Sequence, residues 1–214
     1  MTISTFRRPL LTAVATAACL GPLPAPAEAT GRGCDRSTAI LQARLTELRY
    51  RSGSLDGCSG PATRAAVQAF QKAQGLTADG DAGPLTRRAL RSPTRPSAQS
   101  SAPGRHAEID LRRQLLLVVR DGEVRRIYAA TTGMAGYRTP TGSYRISRKE
   151  PRSWSSEYDV WLPWASYFDS ARGLAIHAGD VRPQPASHGC VRVPAVFAEE
   201  IYGLLPPSTK IIVR

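Results

Sequence analysis

The chain has 214 residues, with 29 lysines and arginines against 17 acidic residues, and its formal net charge is +12. A hydrophobic content of 42% and a charged content of 21% exclude wholesale disorder, and the absence of apolar runs of about 18 residues excludes a polytopic membrane protein. The length predicts one or two domains with real cores. The charge leaves nucleic acid, an anionic membrane and an anionic cell wall as candidate partners.

Residues 1–29 have the pattern of a secretory signal peptide. Two arginines precede an apolar run over residues 10–20, and an A-x-A cleavage site follows at residues 27–29. We therefore expect an exported protein of the periplasm or cell wall with no transmembrane segment in the mature chain. The export route stays open. The alternatives are an amphipathic or single-span segment that stays as an anchor, and a lipid anchor on Cys19.

The four cysteines are Cys19, Cys34, Cys58 and Cys190. Cys19 leaves with the signal peptide, and export makes a disulfide chemically possible. Cys34 and Cys58 lie 24 positions apart in one segment, whereas Cys190 lies far away beside two histidines. The simplest arrangement is one disulfide, Cys34–Cys58, and one free thiol at Cys190.

Residues 34–91 contain an internal repeat of the pattern D-G-x-x-G-P-x-T-R-x-A, starting at Asp56 and again at Asp79. Each copy predicts a turn followed by the start of a helix. An earlier apolar periodicity predicts a first helix with Ser37 as its N-cap, and Gly75 is expected to end the second. The prediction is a small all-α module of three helices. A calcium loop is rejected because the remaining ligands and the closing glutamate are missing.

This segment resembles the common peptidoglycan-binding domain. The matching positions are Leu41-Gln42, Asp56-Gly57, Gly60, Thr63, Ala66-Val67, Phe70-Gln71, Gly75-Leu76, Asp79-Gly80 and Gly83. Ser59 departs from the family, which has a bulky apolar residue there, and we expect the disulfide of Cys58 to supply the lost packing. The resemblance implies wall binding without catalysis, and an inert spacer is the alternative.

Residues 92–105 form a Pro- and Ser-rich linker by composition. As a flexible coil, such a segment spans about 20 Å root-mean-square. A tether of that reach raises the local concentration of substrate around a neighbouring domain.

Residues 106–214 carry β signals. The predicted elements are a hairpin over Leu115–Val119 and Val124–Thr132 around Asp121-Gly122, strands at Tyr144–Ile146, Leu174–Ile176 and Ile211–Val213, and one helix at Ala195–Leu205. We assign no role to His106. Five aromatic residues before His177 either line a substrate groove or pack in the core: Trp154, Tyr158, Trp161, Trp164 and Tyr167.

The densest polar cluster lies between residues 176 and 192 and contains His177, His188 and Cys190. It has three interpretations from residue chemistry alone. The first is a Cys–His nucleophilic pair, in which imidazole takes the thiol proton. The second is a metal site with Asp180 nearby, although zinc usually has tighter ligand spacing. The third is a packed thiol with incidental histidines. The polar, turn-like Ser-His-Gly-Cys favours nucleophilic catalysis.

Residues 107–214 resemble the L,D-transpeptidase catalytic domain, the YkuD family. The signature is I-H-x-G at residues 176–179 followed by S-H-G-C-V-R at residues 187–192, with T-P-T-G upstream at residues 139–142. Only nine residues separate His177 from Ser187, fewer than is usual in the family, which bears on substrate preference. The implied fold is a mostly β catalytic domain, a β-sandwich with a short helix.

The resemblance assigns roles to individual residues. Cys190 is the expected nucleophile and His177 the general base and acid. Ser187 and His188 are expected to shape the pocket and hold the donor. The resemblance also places the oxyanion hole at the backbone N–H groups of Gly189 and Cys190, where a small residue permits close approach.

Arg192 is expected to bind a substrate carboxylate, because guanidinium grips carboxylates with two hydrogen bonds; a solvated surface charge is the alternative. No metal and no organic cofactor is implied for the reaction.

The implied function is an exported L,D-transpeptidase of cell-wall biogenesis and cell shape that acts on peptidoglycan stem tetrapeptides. Cys190 forms a thioester, which an amine of another stem resolves to a 3→3 cross-link. Water as acceptor makes the enzyme an L,D-carboxypeptidase, and a protein amine anchors that protein to the wall. A non-catalytic wall-binding structural protein is the alternative from another class. Carbapenem-type β-lactams are expected inhibitors, and a monomer is expected.

Nucleic acid is not an expected partner. Residues 34–91 and residues 106–214 each carry a net charge of +4, with both signs interspersed and no basic stripe. This even spread is typical of general affinity for an anionic wall.

Overall fold

The computed structural model describes residues 34–214. The predicted signal peptide, residues 1–29, and the alternative lipid anchor on Cys19 lie outside the described residues. Within residues 34–214, no helix combines the length and the apolar character that crossing a membrane requires.

The first region folds into three helices, α1 (Arg36–Glu47), α2 (Pro61–Gln74) and α3 (Pro84–Ala89). The predicted N-cap of α1 was wrong. Asp35, not Ser37, caps it, since the Asp35 carboxylate accepts from the Thr38 N–H at 2.9 Å. Aspartate and serine are both favoured N-cap residues, and the helix begins two residues earlier than the Ser37 assignment predicts. Gly75 ends α2 in a left-handed conformation, as predicted.

The second region contains nine strands and a fourth helix. Their bounds are β1 (Arg105–Asp110), β2 (Leu115–Arg120), β3 (Glu123–Ala129), β4 (Gly142–Arg145), β5 (Arg148–Ser155), β6 (Val160–Asp169), β7 (Leu174–Ala178), β8 (Val191–Val193), α4 (Ala195–Leu204) and β9 (Lys210–Val213). One sheet has the order β3-β2-β1-β9-β4, and the other has the order β5-β6-β7-β8. β7 and β8 run parallel, with His177 opposite Arg192.

The two sheets and α4 enclose one apolar core, which confirms the mostly β architecture with two sheets. Side chains from the first sheet, such as Leu116 and Ile211, meet Ile176 and Val191 of the second. Phe197 of α4 lies in the same core and packs edge-on against Tyr128. β7 and β8 are therefore anchored from behind by buried apolar residues, each contributing about 1.5–3 kcal/mol.

The helical region covers the other face of β2 and β3. Leu115, Leu117 and Val119 of β2 alternate with its core residues and pack against helical side chains, among them Leu45 and Phe70. This explains why β2 is a continuous apolar run, since both of its faces are buried.

The backbone around Tyr50 adds a short bridge to the edge of β3 beside Ile127. Residues 34–214 accordingly pack as a single unit.

The segment between the helices and β1 differs from a free coil. The Glu108 carboxylate, fully buried, accepts from the N–H groups of Gln99 and Ser100 at 2.9 Å, and Arg214 donates to the Ser97 carbonyl. Buried carboxylates need such donors, which the linker backbone supplies. The segment has no helix or strand, in keeping with its composition, but it is held against the sheet.

Candidate active site

The two candidate catalytic residues, His177 and Cys190, share one face of the β7–β8 pair with the candidate substrate-binding residue Arg192. His177 lies opposite Arg192 in the parallel register, and paired residues of adjacent strands point to the same face. Cys190 immediately precedes β8, two positions before Arg192, and so alternation returns it to that face. Its thiol packs against the small apolar cluster that includes Ala175 of β7.

His177 is buried and oriented by the backbone. Its Nδ1 lies 2.8 Å from the Ala178 carbonyl oxygen, and because a carbonyl only accepts, Nδ1 carries the proton of the neutral ring. Nε2 is then the proton acceptor. Burial lowers the pKa of His177 below its ordinary value, with the Arg192 charge acting in the same direction. At neutral pH the ring is therefore an unprotonated base.

Cys190 is a free thiol, and the structure pairs the other two described cysteines, Cys34 and Cys58, in a disulfide. Burial raises the pKa of Cys190, although an N–H of Ala175 and the charge of Arg192 oppose the shift. The thiol is therefore neutral at rest. A neutral thiol on the same face of the strand pair as a neutral imidazole can form thiolate when the histidine takes the proton during attack.

The turn before Cys190 is fixed by its own side chains. The buried Ser187 hydroxyl donates to the Cys190 carbonyl at 2.5 Å and accepts from the Gly189 N–H at 3.2 Å. The Thr139 hydroxyl donates to the Gly189 carbonyl at 2.7 Å. Gly189 has φ +109°, a conformation that favours glycine, and a Cβ there would lie 2.9 Å from Leu174 Cδ2, so the Leu174 side chain would also have to shift.

This geometry changes two expected roles. Both hydrogen bonds of the Ser187 hydroxyl are made to backbone groups of the turn, so Ser187 holds the turn that carries Cys190 in place. The Gly189 N–H is also occupied by that hydroxyl. Among residues 34–214, the Cys190 N–H has no hydrogen-bond partner, which makes it the amide available to an oxyanion.

His188 is exposed and lies between two tyrosines. The Tyr158 ring stacks on it at 4.7 Å and the Tyr137 ring meets it edge-on at 4.6 Å. Gly133 allows this arrangement, because a Cβ at that position would lie 1.9 Å from the Tyr137 carbonyl oxygen. Tyr137 was missed by sequence reasoning, and no spacing signal connects it with His188.

Arg192 is half-buried, and its backbone exchanges two hydrogen bonds with Thr131 at 2.9 Å. Its position opposite His177 places a fixed positive charge beside the thiol and the imidazole. The carboxylate-binding role of Arg192 therefore stays a prediction, with a solvated surface charge as its alternative.

The metal alternative has no structural counterpart in the described part of the chain. Residues 34–214 contain no group of three or more His, Cys, Asp or Glu side chains placed to hold an ion. Asp180, the additional ligand considered for zinc, instead pairs with Arg182 at 2.5 Å.

The family model of the L,D-transpeptidase catalytic domain, YkuD, matches residues 104–213, about half of the chain. The protein belongs to the L,D-transpeptidase family. A second model, that of a peptidoglycan binding domain, matches residues 36–90. The two matches cover the regions for which the sequence motifs indicated these same families.

Solved L,D-transpeptidases resemble this one. The L,D-transpeptidase from Xylanimonas cellulosilytica is 35% identical with a TM-score of 0.76, over 85% of this chain and 95% of that one. The L,D-transpeptidase from Stackebrandtia nassauensis is 30% identical with a TM-score of 0.54, over 85% and 92% of the two chains. The 85% of this chain that each structure covers is more than the half that the catalytic family model matches. The structural likeness therefore extends into the helical region.

A curated relative is similar over a shorter stretch. The N-acetylmuramoyl-L-alanine amidase CwlM of Mycobacterium tuberculosis is 46% identical over 52 residues, which is 24% of this chain and 13% of that protein. The chain thus spans about an eighth of this relative's length.

The aromatic residues before His177 divide into two groups in this L,D-transpeptidase. Trp164 and Tyr167 pack against the interior, and the Tyr167 hydroxyl bonds with Ser153. Trp154, Tyr158 and Trp161 are exposed near the tip of the β5–β6 hairpin. The groove alternative therefore applies only to the exposed group.

Proposed function

We propose that this protein is an exported cysteine L,D-transpeptidase that cross-links peptidoglycan stem peptides. The observation that carries the proposal is the placement of Cys190, His177 and Arg192 on one face of β7–β8, in a chain that belongs to the L,D-transpeptidase family. The thiol is the nucleophile, the imidazole is the proton carrier, and the guanidinium binds a stem carboxylate.

In the acylation half of the reaction, Cys190 Sγ attacks the carbonyl carbon of the third residue of a stem tetrapeptide, and His177 Nε2 accepts the thiol proton. The Cys190 N–H stabilises the resulting oxyanion. The amide C–N bond then breaks, and His177 returns the proton to the amine of the departing D-alanine. The product is a thioester on Cys190.

In the second half, the side-chain amine of another stem attacks the thioester. His177 accepts the amine proton and returns it to the Cys190 sulfur as the C–S bond breaks. The new amide is a 3→3 cross-link. Water in place of the amine makes the protein a carboxypeptidase, and a protein amine anchors that protein to the wall.

Location and inhibition follow from the same proposal. The Cys34–Cys58 disulfide supports an oxidising compartment outside the cytoplasm, and the helical module supports retention on peptidoglycan. We propose that the protein acts as a monomer.

Carbapenem-type β-lactams present a strained amide carbonyl to Cys190, and acylation by them leaves a stable thioester.

The test is to incubate the mature protein with soluble disaccharide-tetrapeptide and to identify products by mass spectrometry. A cross-linked dimer that disappears in Cys190→Ala supports transpeptidation. Tripeptide without dimer assigns the carboxypeptidase reaction instead. No turnover by the wild-type protein overturns the enzymatic proposal and favours a wall-binding structural role.

A further inference from the structure

Residues 179–186, here called the flanking loop, connect β7 directly to the turn that carries Cys190. The loop is short, and its course is set by hydrogen bonds at three points. The Gly179 N–H donates to the Val193 carbonyl, the Arg182 N–H donates to the Thr131 hydroxyl at 2.7 Å, and the Ala186 N–H donates to the Thr132 carbonyl.

The helical module holds the middle of this loop. On α2, the Lys72 ammonium donates to the Arg182 carbonyl at 2.6 Å and to the Ala130 carbonyl at 2.7 Å. One turn earlier, the Gln68 amide donates to the Val181 carbonyl at 3.1 Å. Positions 68 and 72 share one helix face, so α2 presents a pair of donors to two consecutive carbonyls.

Lys72 is an unusual residue in this position. It is 7% exposed, and both of its hydrogen-bond partners are neutral carbonyls. Burial alone lowers its pKa to about 7. A buried amine is costly unless its hydrogen bonds are made. Removing it takes the ammonium donor from the Ala130 carbonyl and leaves the Arg182 carbonyl with the Thr131 hydroxyl as its side-chain donor.

The contacts continue from the clamped carbonyls to the nucleophile. Thr131, which bonds the loop at Arg182, also pairs by backbone with Arg192. The Thr132 carbonyl accepts from the Ser187 N–H at 3.0 Å, and the Ser187 hydroxyl bonds the Cys190 carbonyl. Each of these hydrogen bonds joins buried or half-buried groups that have no water to bond instead. A shift of the flanking loop is therefore expected to shift the turn that carries Cys190.

We propose that Lys72 and Gln68, both on the wall-binding module, are positioning residues for the reaction at Cys190. The module then serves as part of the framework of the active site as well as an attachment to the wall. The inference rests on the proposed function, because the reaction it tunes is the acylation of Cys190.

The experiment compares Lys72→Met and Gln68→Met with Gln74→Met as the matched control. Gln74 lies on the same helix and also bonds backbone groups, but those belong to Thr94 in the linker. The substrate is soluble disaccharide-tetrapeptide, so wall affinity does not contribute. We expect kcat to fall about 10- to 100-fold in the two loop variants with KM within about twofold, and both constants to stay at wild-type values in the control.

Hydrogen exchange measured on the same proteins separates local positioning from general destabilisation. Amides of residues 181–188 should exchange faster in Lys72→Met and Gln68→Met, while those of α4 keep wild-type rates. Unchanged kcat in both variants, or an equal loss in Gln74→Met, would overturn the inference. If Lys72→Met does not fold, Gln68→Met decides.

An inactive wild-type protein would refute the proposed function separately. The readouts are then loop exchange and the rate at which iodoacetamide alkylates Cys190. A several-fold change in that rate in Lys72→Met, absent from Gln74→Met, supports positioning, and identical rates and exchange in all variants contradict it.

Discussion

The two sides of Cys190 are built in different ways. On the side of the flanking loop, residues 182–185 are exposed, but hydrogen bonds fix the loop backbone at Gly179, Arg182 and Ala186, and Ser187 in the adjoining turn is 1% exposed. On the side of the β5–β6 hairpin tip, Tyr158 is 39% exposed, and Trp154 and Trp161 are 46% and 48% exposed. The hairpin reaches the site through the stacking of Tyr158 on His188.

The difference between the two sides of Cys190 corresponds to two tasks, the positioning of the reacting groups and the admission of substrate. Acyl transfer needs the thiol, the imidazole and an oxyanion donor held within a fraction of an ångström, which buried hydrogen bonds achieve. The proposed cross-linking reaction also has to admit two stem peptides, which needs accessible surface, and exposed aromatic rings can supply it. We therefore expect changes on the loop side to lower kcat and changes on the hairpin side to raise KM.

The largest effect is expected from His177→Gln. The substitution keeps a polar side chain but removes the proton acceptor, and general base catalysis contributes about 100- to 10,000-fold. We expect kcat/KM for the soluble tetrapeptide substrate to fall within that range while the melting temperature changes little. Activity near wild type would show that His177 does not carry the proton.

Gly189→Ala should reduce activity about 100-fold, since the left-handed backbone and the contact with Leu174 Cδ2 force the turn to shift. Gly75→Ala is the matched control, because Gly75 also has a positive φ of +69° but no neighbour within 4 Å of an added Cβ. Both variants should lose stability, and only Gly189→Ala should lose kcat. Equal kcat in the two variants would contradict a fixed turn.

The pH dependence of kcat/KM tests whether His177 is buried. His177 must be unprotonated to act, so kcat/KM should fall as the pH drops through its pKa, by about tenfold per pH unit below it. Because burial lowers that pKa from the ordinary value of 6.5, the midpoint of the acid limb should lie below pH 6.5. A midpoint above pH 6.5 would indicate a solvated or carboxylate-paired histidine instead.

Much of the site on the side of the flanking loop could be predicted from the sequence. The proposed nucleophile, Cys190, and the proposed base, His177, belong to contiguous motifs, and the glycine that the turn favours, Gly189, is directly next to Cys190 in the sequence. The oxyanion assignment to the N–H groups of Gly189 and Cys190 stays a prediction, and the motif does not reveal that the Gly189 N–H donates to the Ser187 hydroxyl.

Contacts between distant segments could not be predicted. Lys72 and Arg182 are 110 positions apart, and nothing in either local pattern connects them. The apolar run of β2 did carry a signal, since burial of both faces requires a second layer over the sheet. The strands β5 and β6 were missed because their exposed faces carry charged and aromatic residues without a clean alternation.

The smallest effect is expected on the hairpin side. Tyr158→Ala removes the ring that stacks on His188, and such aromatic pairs contribute about 0.5–1.5 kcal/mol. KM for the soluble substrate should rise several-fold with kcat unchanged. Tyr158→Phe keeps the ring and should behave as wild type. A loss of kcat in Tyr158→Ala would mean that the hairpin also positions the reacting groups.

The most direct test of the account is the mass of the intact protein during turnover. The wild-type protein is mixed with disaccharide-tetrapeptide, quenched in acid and analysed by mass spectrometry, with peptide mapping of any adduct. We predict an adduct equal to the disaccharide-tripeptide acyl group, located on Cys190 and absent from Cys190→Ala. Turnover by the Cys190→Ala variant, or an adduct on a residue other than Cys190, would contradict a thioester mechanism at Cys190.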